Sequence, residues 1–200
     1  MPDTPTRRRN AAATREAILT SARRAFAQAG YDGAGVREIA TGAGVTAMLV
    51  NRYFGSKEQL FAEVLAATAA APTILTRENL KSSNLPETIA ATLVDITEAA
   101  NTPLEGFLIM LHSASSKRAA EIGREQIEKG HQKTLTDALA GDLAPQRAAL
   151  MLSLVAGFQV MRQMIGLSAL AEAERSDLIR VLAPLLKQLI EGTPASDKGT

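Results

Sequence analysis

The stretch Gly44–Phe61, GVTAMLVNRYFGSKEQLF, decides the fold. It holds a turn glycine, a short helix of mixed character, a second turn and the start of another helix, all within a few turns of chain. Read together with Val36–Ala43, it describes two helices meeting at a sharp turn. Such a crossing needs a small residue at the contact, a residue tolerant of positive φ in the turn, and apolar residues facing inward. Ala40, Gly44 and the set Ile39, Ala43, Val45, Val50 and Tyr53 or Phe54 meet these needs in turn. Thr46, Ala47, Leu49, Asn51 and Arg52 are left for outward-facing parts of the second helix. That is the layout of a helix-turn-helix, whose second helix enters the major groove of DNA.

The side chains suit that role. Arginine at 52 offers paired donors to guanine O6 and N7 or a charge to phosphate, and asparagine at 51 pairs with adenine N6 and N7. A solvated arginine and a local cap are the ordinary alternatives for these two. Ser56 to Gln59 has the spacing of a capping box, which starts a helix at Ser56 and puts Lys57 in its first turn. There a cation opposes the helix dipole, and an arriving phosphate relieves the conflict.

Outward from this motif the chain reads as helices throughout. Ile18, Ala22, Ala25, Phe26 and Ala29 recur at helical spacing, predicting an amphipathic helix from Thr14 to Ala29 that ends at Gly30. With Val36–Ala43, Thr46–Tyr53 and Ser56 to about Ala70 it makes a four-helix N-terminal domain over 13–71. Residues 1–12 are expected to be a disordered basic arm carrying Arg7, Arg8 and Arg9, and 193–200 a disordered tail. The period fades between 72 and 85. Beyond it, Pro86 suits a first helical turn, Thr102-Pro103-Leu104-Glu105 suits a capped start, and a third helix is expected over about 117–140. Pro145 opens a helix to about Leu167 that is apolar around nearly its whole circumference. The last helix, about 174–191, carries Leu178, Leu182, Leu185 and Leu189 on one stripe, with Pro184 expected to bend it. These two helices have more apolar face than one subunit of this size covers, and Gly157 permits close approach of a second copy. No strand alternation is present. The fold class expected is all-α, with the larger helical domain over 72–192.

Composition narrows the function classes. The 200 residues contain no cysteine, which excludes a thiol nucleophile and thiolate metal sites and fits a reducing, cytoplasmic setting. The most apolar run, Ala148–Phe158, is shorter than a membrane span requires, and the N-terminus lacks the apolar core of a secretory signal. Net charge is +1, but residues 1–57 hold nine Lys/Arg against four Asp/Glu, leaving 13 against 17 beyond. The basic end and the acidic end face different partners. His112 and His131 are the only histidines and match no metal-ligand spacing, and no glycine-rich phosphate loop or nucleophile elbow occurs. Glu121, Glu125 and Glu128 share a helix with Lys117, Arg118, Arg124 and Lys129, the pattern of a solvated face. An enzyme is therefore not expected, nor a cofactor.

Over Thr14–Leu65 the residues Ile18, Ala22, Phe26, Gly30-Tyr31, Val36, Ile39-Ala40, Ala43-Gly44-Val45-Thr46, Tyr53-Phe54, Ser56-Lys57-Glu58 and Leu60 resemble the DNA-binding domain of TetR-family transcriptional regulators. The chain departs from that pattern at Asn51, where the family commonly has tyrosine, and at Met48, where a small residue or proline is usual. The resemblance implies a homodimer joined through its last two helices, a double-stranded operator with near-palindromic half-sites, and a repressor released by a small apolar or amphipathic effector. The residues' own chemistry and their places on the second helix and at the start of the next give the expected DNA contacts, Thr46, Ala47, Leu49, Asn51, Arg52, Tyr53 and Lys57: bases for Thr46, Asn51 and Arg52, thymine methyls for Ala47 and Leu49, phosphates for Tyr53 and Lys57. A pocket in the second domain would draw on Phe107, Met110, Leu111, His112, Phe158, Gln159, Met161 and Arg162, with Ser113, Gln163 and Met164 beside them. The competing readings are a DNA-binding regulator without an effector, and a helical small-molecule-binding protein or enzyme.

Overall fold

The computed structural model describes residues 5–69, 74, 76, 78–98, 101 and 104–192. Among them there is no strand. The helices are α1 (Pro5–Gly33), α2 (Val36–Gly42), α3 (Ala47–Phe54), α4 (Lys57–Ala69), α5 (Leu85–Ile96), α6 (Glu105–Ser113), α7 (Lys117–Ile127), α8 (Lys133–Ala138), α9 (Ala144–Gln159), α10 (Ser168–Ala171) and α11 (Arg175–Glu191). A 3₁₀ turn spans Asn79–Lys81, and π-helical turns span Glu128–Gln132 and Val160–Met164. The chain divides into two compact units: Met1–Ala71 with Leu104–Gln126, and Pro72–Pro103 with Ile127–Thr200.

The first unit is built on α1. Ile18, Leu19, Ala22, Ala25 and Phe26 are buried at the spacing of one helical face, against Ile39 and Ala40 of α2, Val50 and Phe54 of α3, and Leu60, Phe61, Val64 and Leu65 of α4. Phe26, Tyr31 and Phe61 form the centre, with Phe61 edge-on to both other rings at 5.0 Å. The helix is longer than its apolar period. It begins at Pro5, so residues 5–12, expected as a disordered arm, are helical, while the side chains of Arg7, Arg8 and Arg9 lie outside the described residues.

At its other end α1 does not stop at Gly30 but bends there, with φ 66° and ψ −176°. The extended ψ turns the Tyr31 amide out of the helix, and α6 supplies what the bend removes. Tyr31 N–H donates to Ser113 Oγ at 2.9 Å. The Ala27 carbonyl, which that amide would reach in an unbroken helix, accepts from His112 Nδ1 at 2.6 Å. A Cβ on Gly30 would sit 2.3 Å from the His112 carbonyl oxygen, so glycine answers both to the backbone angle and to the neighbour. Ser116 Oγ donates to Asp32 Oδ1 at 3.1 Å, just beyond the bend. The segment Leu104–Gln126 is thus integral to this unit, although the loss of period near residue 72 placed the domain junction before it.

In the second unit α5 and α11 pack face to face through Ile89, Ala90, Leu93 and Val94 against Leu178, Leu182, Ala183 and Leu186, with Met151 and Phe158 of α9 completing the core. Arg175 joins Asp95 across the top in a two-pronged contact, Nε to Oδ1 at 2.6 Å and Nη2 to Oδ2 at 2.9 Å. Two buried arginines hold main-chain carbonyls. Arg147 donates to Asp142 O at 2.9 Å, to Leu189 O and Ile190 O at 3.0 and 2.9 Å, and to Ala140 O, so it closes the C-terminal end of α11. Arg162, in the second π turn, donates to Val94 O at 2.6 Å, Thr97 Oγ1 at 3.0 Å and Leu170 O at 3.1 Å, tying α5 to α10.

Several expected boundaries differ. The single helix expected over 117–140 is α7, a π turn and α8, and the helix from Pro145 passes into a π turn after Gln159. α11 runs continuously through Pro184. Thr102 and Pro103, expected to cap α6, lie outside the described residues, and α6 starts at Glu105. The helix apolar on all sides is not buried on all sides within one chain, since Leu150, Met161, Met164 and Ile165 are exposed.

Candidate nucleic-acid interface

α2 ends in a Schellman motif: Val45 N–H reaches Ala40 O at 2.9 Å and Gly44 N–H reaches Thr41 O at 3.0 Å, with Gly44 at φ 66°. This sharp stop sets the angle at which α3 leaves. Thr46 then caps α3, its Oγ1 accepting from Leu49 N–H at 3.3 Å. Val50 and Phe54 of α3 are buried, and Ala47 and Tyr53 pack on the same core. At about 100° per residue these four place the inward side of the helix, so its outer pole falls between Met48 and Arg52, with Asn51 and Leu49 on the flanks.

The expected base-facing residues therefore separate. Arg52 and Asn51 are exposed, as is Thr46 at the helix start. Ala47, expected at a thymine methyl, faces the core instead, because it shares the face of Val50 and Phe54. Leu49 is half-buried on the flank. Met48, which is not among the expected contacts, is 81% exposed. Its signal was available in the spacing: it stands four residues before Arg52, on the same helical line.

Beyond Gly55, at φ 78°, Ser56 caps α4 by accepting from Gln59 N–H at 3.2 Å. Lys57 does not point free into solvent: its Nζ lies 4.6 Å from the centre of the Tyr31 ring. Glu58 beside it is held below the ordinary carboxylate range by its own main-chain amide first, then by hydrogen bonds from Ser56 and Tyr31. Burial, and then the Glu58 carboxylate, push the Tyr31 hydroxyl up. Arg15 of α1 stacks its guanidinium 4.8 Å from the Phe54 ring and pairs with Glu63, joining α1, α3 and α4 into one platform. Tyr53, expected at phosphate, is half-buried against this platform.

The eight residues expected to line an effector pocket fall four in each unit. Met110 covers Gly123, whose added Cβ would lie 2.3 Å from the methionine Cε. Phe107 is half-buried, Leu111 is at the surface, and His112 and Ser113 are occupied at the α1 bend. In the second unit Phe158, Gln159 and Arg162 are buried and Met161 is exposed. Arg162 is committed to carbonyls, and burial pulls its pKa below the ordinary arginine value. Gln159 Nε2 and Gln163 Oε1 are buried and have no hydrogen-bond partner among the described residues. An open groove of about 640 Å³ lies elsewhere, in the first unit, between α1 and α2 beside Ala17, Ser21, Arg24 and Glu38. Among the described residues no group of three or more His, Asp or Glu could hold a metal ion, and no helix is long and apolar enough to cross a membrane.

A family model described as bacterial regulatory proteins, tetR family, matches residues 18–64, and a second, the tetracyclin repressor-like C-terminal domain, matches residues 83–190. The chain belongs to the TetR family. It is a DNA-binding transcriptional regulator, and α2 and α3 are the helix-turn-helix of this TetR-family chain. Solved structures share the fold. A TetR-family regulator from Streptomyces coelicolor A3 is 24% identical, with 90% of this chain and 95% of that one covered at a TM-score of 0.57. A TetR-family regulator from Rhodococcus sp. is 19% identical, with 90% and 100% covered at a TM-score of 0.66. AibR, solved in complex with isovaleryl coenzyme A and operator DNA, is 17% identical, with 86% and 97% covered at a TM-score of 0.59. No curated protein shows a significant match to this TetR-family chain.

Proposed function

We propose that this regulator is a cytoplasmic repressor that binds a near-palindromic operator as a homodimer and is released by a small-molecule effector. The observation that carries the DNA side is the outward face of α3, where Arg52 and Asn51 stand exposed on a helix fixed by a glycine turn at one end and Arg15 beneath the other. Arg52 and Asn51 read base edges, with Thr46 at the helix start. Lys57 swings from the Tyr31 ring to a phosphate at the N-terminus of α4, and Tyr53 supports the same strand. Two copies meet through α9 and α11. Leu150 and Gly157 on α9, Met161 in the π turn that follows it, and Val181 and Leu185 on α11 are exposed in the single chain, and nothing lies within 4 Å of a Cβ added to Gly157. AibR, of the same fold, was solved with both an acyl-coenzyme A and operator DNA.

The effector side rests on Gln159. A buried amide nitrogen without an acceptor costs about 1–3 kcal/mol, and a ligand bringing an oxygen acceptor removes that cost. A ligand that prefers the conformation unable to span both half-sites lowers DNA affinity by its differential binding energy. Fluorescence anisotropy with the DNA upstream of the gene and a scrambled duplex, at two salt concentrations, tests the operator side. Selective binding that survives the higher salt supports it, and equal binding that vanishes with salt contradicts it. A thermal-shift screen against metabolites tests the effector side: an effector raises the midpoint of the wild type by mass action and does so less for Gln159→Met. No hit that also releases DNA leaves the effector-independent regulator standing.

A further inference from the structure

We propose that Met48 is a specificity-determining residue of this regulator, which covers a thymine 5-methyl group in each operator half-site. The inference rests on the reading that α3 enters the major groove and goes beyond the contacts argued for Arg52 and Asn51. Met48 is the second residue of α3, and the first turn of a recognition helix is the part that meets base edges. It is 81% exposed, the most exposed of the large apolar residues described, beside the exposed polar Asn51 and Arg52, while Leu49 on the flank is half-buried. Core packing does not account for it, because the core-facing positions of α3 are Ala47, Val50, Tyr53 and Phe54. In the major groove the one apolar group that distinguishes a base pair is the thymine methyl. An unbranched thioether side chain is polarisable and adapts to such a surface. Met48 and Arg52 lie one helical turn apart, about 6 Å along the axis, and base pairs repeat every ~3.4 Å. The thymine covered by Met48 and the base pair read by Arg52 therefore lie within about two base pairs of each other.

The test uses the full-length protein and a duplex that the wild type itself selects from a randomised pool. Each thymine in one half-site is replaced in turn by deoxyuridine, which removes the methyl and leaves pairing intact. For the wild type, one position is expected to lose about three- to fivefold in affinity, the scale of one methyl-sized contact. Met48→Ala is expected to bind the unmodified duplex more weakly by a similar factor and to show no penalty at that position, while Met48→Leu retains it. Melting of all three proteins should coincide, since the residue is exposed. If the deoxyuridine profiles of wild type and Met48→Ala are the same, or if Met48→Ala weakens every sequence equally, Met48 does not read a methyl and the proposal is overturned while DNA binding stands. If the wild type selects no sequence at all, the reading of α3 fails, and this proposal with it.

Discussion

Replacing Gly30 by alanine asks the backbone to hold a side-chain-bearing residue at φ 66° and to push a methyl group into the His112 carbonyl. The backbone term alone costs about 1–3 kcal/mol, and chemical denaturation of Gly30→Ala should show a loss of at least that size. Gly44→Ala is the comparison, since it has the same φ of 66° but an added Cβ there meets nothing within 4 Å, so it shows the backbone term without the clash. At the recognition surface, Arg52→Ala should lose about 1–3 kcal/mol of operator affinity and relax selection at one base pair. Lys57→Ala should weaken all duplexes alike and flatten the salt dependence of binding by about one ion. Competition binding across a set of single-base operator variants separates the two patterns, and the reverse result would exchange their roles. Most of this residue-level picture was legible in the sequence, because Gly44, Val50, Phe54 and Ser56 each satisfy a local geometric demand. His112 and Ser113 were not: as polar residues on an apolar stretch they resembled pocket liners, and nothing local shows that a bend eighty residues away needs one donor and one acceptor. Arg147 escaped for the same reason, since two of its four partner carbonyls, Leu189 and Ile190, lie at the far end of another helix.

Among the elements, α5 and α11 are joined by an ion pair whose strength depends on pH. The hydrogen bond from Arg175, with its charge, holds the Asp95 carboxyl below the usual carboxylate value of 3.8. A carboxylate with a lowered folded pKa stabilises the fold at pH above its unfolded value, and that contribution disappears as pH falls through the folded value. The stability advantage of wild type over Asp95→Asn should therefore be constant above about pH 5 and shrink below about pH 4. Both groups are about half exposed, so the advantage should be small. Thermal melts of both proteins over that range, with a constant or growing gap toward low pH, would contradict the assignment. Helix identities were readable from the apolar period, but their internal breaks were not. The π turns at Glu128–Gln132 and Val160–Met164 add a residue to the turn without changing composition, and a window tuned to 3.6 residues passes over them.

For the whole molecule the prediction concerns assembly. Leu150→Asp puts a charge on the exposed apolar stripe of α9, and in a two-fold interface each copy would bury one. An unpaired charge in such a setting costs about 3 kcal/mol or more, so sedimentation should show the dimer dissociating at concentrations where the wild type does not, with helicity unchanged. A wild type that is monomeric throughout would remove the interface. Composition and charge had already set out the larger plan, a basic end and an apolar, acidic remainder. They did not show where one unit ends and the next begins, because the first compact unit is discontinuous in sequence.

The bend at Gly30 bears on how such a regulator can be taken apart. A fragment stopping at residue 71 would keep every residue of the helix-turn-helix yet lose the His112 and Ser113 groups that complete α1, along with the cover Ile109 gives its core. The DNA-reading head is thus not a detachable cassette. Grafting its specificity onto another scaffold means carrying Leu104–Gln126 with it, or choosing an acceptor whose own helices offer one donor and one acceptor at the same bend.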